Sequence, residues 1–381
     1  SSMNNRFWSL LRKELMDAIR DKRSVIAGLY YAIFVPILMA VMMMVIIDKL
    51  TSPEDFKITI NNSSAAADLV VYLDNQGIRH SSDKTETKAI ELTIGASYAE
   101  QMRLAEPAEV ILIADGSEEN LQSAIRRTER ALQRYSAEMA SLRLIARGIN
   151  PIIMNSLNVK MQDQATTESK GGQLIAMIIL VILLSVFVSG MNLAIDTSAG
   201  ERERNSLALL LSHPISLRQL VVSKVCAVSV FGMLGLVLVL IVSKFVYPMV
   251  PWQELGFNVD ININFMMAAL IAGAFVAVLA ASMQLFVSFM AKSFKEAQTY
   301  ITFVMFVPMI LSYAVTFDFA TDELRWAPVT GQLQALIDVM KGKEIPLLQL
   351  AVSCLSTLLI SIALMLGMER LLKSEKIVFG L

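Results

Sequence analysis

Gly171–Ile195 reads GGQLIAMIILVILLSVFVSGMNLAI, 25 residues without an Asp, Glu, Lys or Arg. A helix needs ~20 mainly apolar residues to cross the hydrocarbon of a bilayer. Inside lipid it must satisfy its own backbone hydrogen bonds, so an uncharged run of this length reads as a membrane-crossing helix. Working outward, Ser24–Ile47, Val225–Ser243, Ile261–Ala291, Ala297–Phe317 and Ile345–Met368 are equally free of charge. The six spans are drawn at 24–47, 171–195, 218–246, 261–291, 297–317 and 345–368. The expected fold is a mainly α membrane protein with six transmembrane helices and a large α/β insert between the first two. A composition that is 55% hydrophobic over 381 residues agrees with that class. The net charge of −1 is silent on nucleic acid, but no basic stripe interleaved with aromatics occurs, and no nucleic-acid partner is expected. Both cysteines, Cys226 and Cys354, fall inside spans, so no disulfide framework holds the insert. The first apolar run is too long for a cleaved signal and is expected to remain as a span.

Loop charges set the orientation. Arg6, Arg12, Lys13, Arg20, Lys22 and Arg23 precede the first span. Arg202, Arg204, Arg218 and Lys224 follow the second, Lys292 and Lys295 the fourth, and Arg370, Lys373 and Lys376 the sixth. The positive-inside rule then puts both termini in the cytoplasm of a multi-pass membrane protein. The inner segments are 1–23, 196–217, 292–296 and the tail 369–381. The outer ones are 48–170, 247–260 and 318–344.

Within the insert, β-type runs occur at Phe56–Ile60, Leu69–Leu73, Ala89–Ile94 and Glu109–Ala114, with a helix expected at Ser97–Ala105. A long helix is expected over 117–148. Ser117 could cap it, one apolar stripe runs from Leu121 to Leu142, and Gly148 and Pro151 could stop it. Ser156–Gln162 is expected as a last strand. The first 23 residues read as an amphipathic interfacial helix, with Phe7, Trp8, Leu11, Leu15, Ala18 and Ile19 on its apolar face and Glu14 on the other. Gln332–Lys341, with Leu333, Leu336, Ile337 and Met340 on one side, reads as a short interfacial or re-entrant helix.

Catalytic motifs are missing from the sequence. His80 and His213 fall on opposite sides of the membrane, and neither HExxH nor GxSxG occurs. No GxxxxGK[ST] loop is present, so the chain carries no ATP engine of its own. Ser169-Lys170-Gly171-Gly172-Gln173 is similar to an ATP-cassette signature only by coincidence, because it lies at the outer mouth of the second span.

The most informative loop is Asp196-Thr-Ser-Ala-Gly-Glu-Arg-Glu-Arg-Asn-Ser-Leu-Ala-Leu-Leu-Leu-Ser-His-Pro214. Gly200 is expected to free the backbone where a short helix starts, and Glu201 and Glu203 suit that helix's positive end. Leu207, Leu210 and Leu211 give it an apolar patch, and Pro214 ends it. On pattern alone it reads equally as a plug for a partner's groove or as a plain connector.

Gly200-Glu201-Arg202-Glu203-Arg204, the leucine-rich turn, His213-Pro214 and Lys224 resemble the coupling-helix signature of ABC-2 type exporter permeases. Where that family carries Thr-Leu-Glu, this chain has Ser206-Leu207-Ala208 and lacks the glutamate. The likeness extends to Lys13-Glu14, the insert ending at Arg143–Pro151, Ala194-Ile195-Asp196, Ala327-Pro328 and Met368-Glu369-Arg370. Together these are similar to the NatB branch, the membrane subunit of an ATP-driven sodium exporter.

The resemblance implies a six-helix ABC-2 exporter fold working as a homodimer with separate ATPase subunits, which would bind the ATP and magnesium. This chain would hold no cofactor or metal and would not be an enzyme. Its partners would be the ATPase, a second permease copy and membrane lipid. Gly200, Glu201, Arg202, Glu203, Arg204, Leu207, Leu210, Leu211 and Pro214 would couple to the ATPase. Glu201 and Arg204 would act as electrostatic anchors and the three leucines as an apolar plug. For the translocation path the candidates are Ser185, Ser189, Asn192, Asp196, Ser282, Gln284, Thr299 and Thr302, since the six apolar runs, Val225–Ser243 in the third span, contain no charge. Export of a lipid, drug or peptide, and a receptor or scaffold built on the outer domain, are the alternative readings.

Overall fold

The computed structural model describes residues 2–51, 54–162, 171–317, 319 and 321–374. Ser169, Lys170 and Lys376 lie outside them. The chain divides into two units, residues 1–47 with 164–381, and residues 48–163.

The first unit is helical. It opens with α1 (Ser2–Arg20) and α2 (Lys22–Thr51). The insert supplies α3 (Ala67–Asn75), α4 (Tyr98–Arg103) and α5 (Glu119–Ala146). The first unit resumes with α6 (Gly172–Ile195), α7 (Glu201–Glu203), α8 (Ser206–Leu211), α9 (Leu217–Val246), α10 (Ile263–Met290) and α11 (Phe294–Thr316). It ends with α12 (Thr321–Leu324), α13 (Thr330–Met340) and α14 (Leu347–Leu372). Among the described residues six helices are long and apolar enough to cross a membrane, built on α2, α6, α9, α10, α11 and α14. Of these α6 is the most buried, so the bundle is organised around it. Its contact with α9 is close because Gly235 has no side chain. A Cβ there would lie 2.4 Å from the Cβ of Ser189. Without a solvent-driven hydrophobic force, such small-residue contacts hold membrane helices together by close packing.

Two expectations for this unit change. The buried face of α1 is Leu10, Glu14 and Ala18, flanked by half-buried Phe7, Leu11 and Leu15, while Trp8 and Ile19 are exposed. Glu14 turns inward because Lys224 of α9 waits there. In α13, residues 330–338 and Met340 are all buried, on every side of the helix. Its polar back is satisfied by α14: Gln332 Nε2 donates to Thr357 Oγ1 at 2.9 Å, and Ser353 Oγ donates to Gln332 Oε1 at 3.0 Å. The turn before it holds Val329 at φ 67°, a strained conformation for a β-branched residue.

The second unit carries a four-stranded sheet in the order β2-β1-β3-β4. Its strands are β1 (Phe56–Asn61), β2 (Ile78–His80), β3 (Ile90–Ile94) and β4 (Val110–Ala114). Leu69–Leu73 is helical, inside α3, and not a strand. Val70, Val71 and Tyr72 favour strand by propensity, but β1 and β2 run parallel and need a crossover between them. Leu69 and Leu73, four apart, both enter the core of this unit. Ser117 does not cap α5; its amide and hydroxyl bond Asp115, and Glu118 takes the cap position. At the other end Gly148 adopts φ 74°, and the Ile149 amide returns to the Leu144 carbonyl, closing the helix. Ser156–Gln162 forms no strand.

Candidate functional site

The membrane-crossing helix of α6 does not stop at Ile195. It passes through a π-turn at Asp196–Gly200 straight into α7. Such turns recur at functional positions in helices. Gly200 is therefore not a flexible start: its φ is −65°. Its bare Cα serves closeness instead, since a Cβ would meet Asp196 Oδ1 at 3.2 Å and Arg204 Nη1 at 3.3 Å. The true break is Asn205, left-handed at φ 59°, which turns the chain into α8.

Each of the four charges after Gly200 holds a different part of the protein. Glu201 accepts from Lys224 of α9 at 2.9 Å and from Lys13 of α1 at 3.3 Å. Arg202 donates to the carbonyls of Ala291 at 3.0 Å and Phe289 at 3.3 Å, beyond and within the last turn of α10. Glu203 accepts from the amide of Phe294, the first residue of α11, at 2.9 Å. Arg204 returns to Asp196 at 2.9 Å. Anion at a helix start and cation at a helix end are the favourable senses of both cap contacts.

Behind this segment lies a buried charge cluster. Lys224 is 0% exposed and bridges Glu201 to Glu14, which is also 0% exposed, at 3.0 Å. Lys13 adds contacts to Glu14 at 3.4 Å and Asp17 at 3.6 Å. Burial by itself would lower the pKa of Lys13, but Glu14, Glu201 and Asp17 outweigh it and raise the value above its ordinary 10.5. The stability Lys13 contributes is therefore complete below 10.5 and is lost only as pH rises through the raised value.

This geometry changes the expected plug. Leu207 is fully buried, and Leu210 and Leu211 pack half-buried against the same core, which α1, α9 and α10 share. Glu201 and Arg202 are buried as well. The surface that remains outward is Glu203, Arg204, Asn205, Leu209, Ser212, His213 and Pro214. Leu209, which the sequence pattern does not single out, is 66% exposed. Arg6 of α1 donates to the Pro214 carbonyl at 3.1 Å, so α1 borders this surface. Glu14 was also missed. The signal available was its place at i, i+4 with Leu10 and Ala18, on a packed helix face.

The path candidates do not gather at one point. Ser185 and Ser282 are buried and bond carbonyls of their own helices. Gln284 donates to the Phe187 carbonyl of α6 at 2.9 Å, while its Oε1 has no partner. Ser189 Oγ and Ser288 Oγ are also buried, and like Gln284 Oε1 they have no partner among the described residues. Asn192 is half-buried, and Asp196 is held by Arg204. Thr299 and Thr302 face outward on α11. No group of three or more His, Cys, Asp or Glu suited to a metal occurs among the described residues.

The sequence profile described as ABC-2 family transporter protein matches residues 8–366. This chain belongs to the ABC-2 transporter family. It is also similar to the ABC transporter permease protein NatB of Bacillus subtilis (strain 168), with 26% identity over 322 residues, 79% of this chain and 80% of that protein. No solved structure matches it. As an ABC-2 transporter permease it is a multi-pass membrane protein, and membership implies an ATPase partner. The Glu201–Arg204 segment and the Glu14–Lys224–Glu201 cluster lie inside the matched region.

Proposed function

We propose that this chain is the transmembrane half of an ATP-driven exporter whose ATPase docks on the corner formed by Leu209, Ser212, His213 and Pro214, beside α1. The supporting observation is the four-way hold of Glu201–Arg204. A push on α8 reaches α1 and α9 through Glu201, α10 through Arg202, α11 through Glu203 and α6 directly. Closure of the ATPase pair then shifts all these helices together, through its different affinity for the two arrangements of the corner. Both termini and this corner are cytoplasmic in this reading, the insert is on the opposite side, and two copies form the working unit.

The proposed cargo is Na+. Sodium is a hard cation that takes neutral oxygens, and the buried oxygens without partners at Ser189, Gln284 and Ser288 lie on α6 and α10. The test uses proteoliposomes containing the chain and its ATPase. ATP-dependent movement of labelled sodium, absent with potassium, supports the cargo. ATP-dependent movement of a lipid, drug or peptide without sodium removes it but leaves the exporter reading standing. Failure to recruit any ATPase, with the corner intact, removes the exporter reading itself.

A further inference from the structure

The end of α5 and the chain after it are out of character for a domain bathed in water. Between Leu142 and Met161 nine large apolar side chains are exposed, among them Ile152, Ile153 at 73%, Leu157 and Met161 at 88%. Exposed apolar patches of such extent mark a surface that meets another apolar phase. The strip also has one sign of charge. From Met139 to Gln162 there is no Asp or Glu, while Arg143, Arg147 and Lys160 are present. On α5, Leu142 and Ile145 follow the helical step, and Leu157, Val159 and Met161 alternate along extended chain. Apolar side chains interleaved with cations alone are what an anionic bilayer surface binds.

We infer that residues 142–161 form a lipid-binding strip that rests on the headgroup layer of an anionic membrane. A second copy of the chain is the poorer occupant. Two-fold contact of this strip with itself would bring together two copies of the cations Arg143, Arg147 and Lys160, with no carboxylate in the strip to answer them.

The test uses the full chain with Cys226→Ala and Cys354→Ala, reconstituted in nanodiscs with or without phosphatidylglycerol. An environment-sensitive probe is attached at Ile153→Cys or Leu157→Cys, with Ser82→Cys, an exposed loop position of the same unit, as reference. All three sites are exposed, so labelling leaves the core intact. Headgroup-level spin-labelled lipid is expected to quench the probes at 153 and 157 well beyond that at 82. Arg147→Gln with Lys160→Gln should cut the gain due to phosphatidylglycerol by about five-fold per charge removed. Equal quenching at all three positions would overturn the inference. So would probes at 153 and 157 that are shielded from both lipid and water and that cross-link between copies.

Discussion

Two short segments join membrane-crossing helices, and they are built on opposite principles. Glu201–Pro214 is dense in charge, pairs those charges with four other helices and still leaves one side open. Thr330–Met340 is buried at every position but Val339 and tied by neutral hydrogen bonds to α14, and Asp338 pairs with Arg325 at 2.8 Å. The first has a free surface and many lines of connection, which is what the proposed coupling to an ATPase requires. The second has little free surface, Gln334, Ile337 and Asp338 facing a cavity, and packs as a wedge between α6, α10 and α14. Burial, and not the mere presence of a helix between spans, separates an element that has a surface to offer a partner from one that has little.

The strongest way to break this contrast is Lys224→Met. It leaves the buried Glu14 and Glu201 with only the partly exposed Lys13 as counter-charge, and should cost about 3 kcal/mol. Thermal unfolding in detergent checks it, and a melting point like that of the parent chain would show that the cluster does not hold α1 to α9. Gly331→Val attacks the wedge. A Cβ there already falls 2.7 Å from the Arg325 carbonyl and against Ser353, so overpacking of about 1–3 kcal/mol is expected, read in the same melt.

Arg202→Ala removes the donor from the end of α10 and should cost about 1–2 kcal/mol. Its sharper signature is functional: ATP hydrolysis by the docked ATPase continues while transport falls. Retention of full transport would show that α10 is driven by another route. The smallest structural effect belongs to Leu209→Asp, within about 0.5 kcal/mol of the parent because the side chain is exposed. Recruitment of the ATPase should nonetheless be lost in a pull-down. If binding survives Leu209→Asp and fails for Leu210→Asp at unchanged stability, the docking corner is placed on the wrong side of α8.

Much of the scaffold was legible from local pattern. The six apolar runs, the long helix of the insert with its Gly148 stop, and the charged segment after Gly200 are all local sums of hydropathy, spacing and termination signals. The misreadings share one cause. Leu69–Leu73 became a helix because of how β1 and β2 pair, and Glu14 turned inward because of Lys224. Leu207 turned inward because α1 and α9 cover it. In each case the deciding partner is distant in sequence or belongs to another element.

The sequence by itself determined which stretches enter the membrane, since twenty uncharged residues have no other stable environment. Only the tertiary structure decided which face of each short helix is inside, and so which residues remain to meet a partner. Lys224 and Glu14 are 210 residues apart, and neither one's surroundings predict the other. A buried charge is tolerated only where its counter-charge arrives, and that arrival is a property of how helices pack.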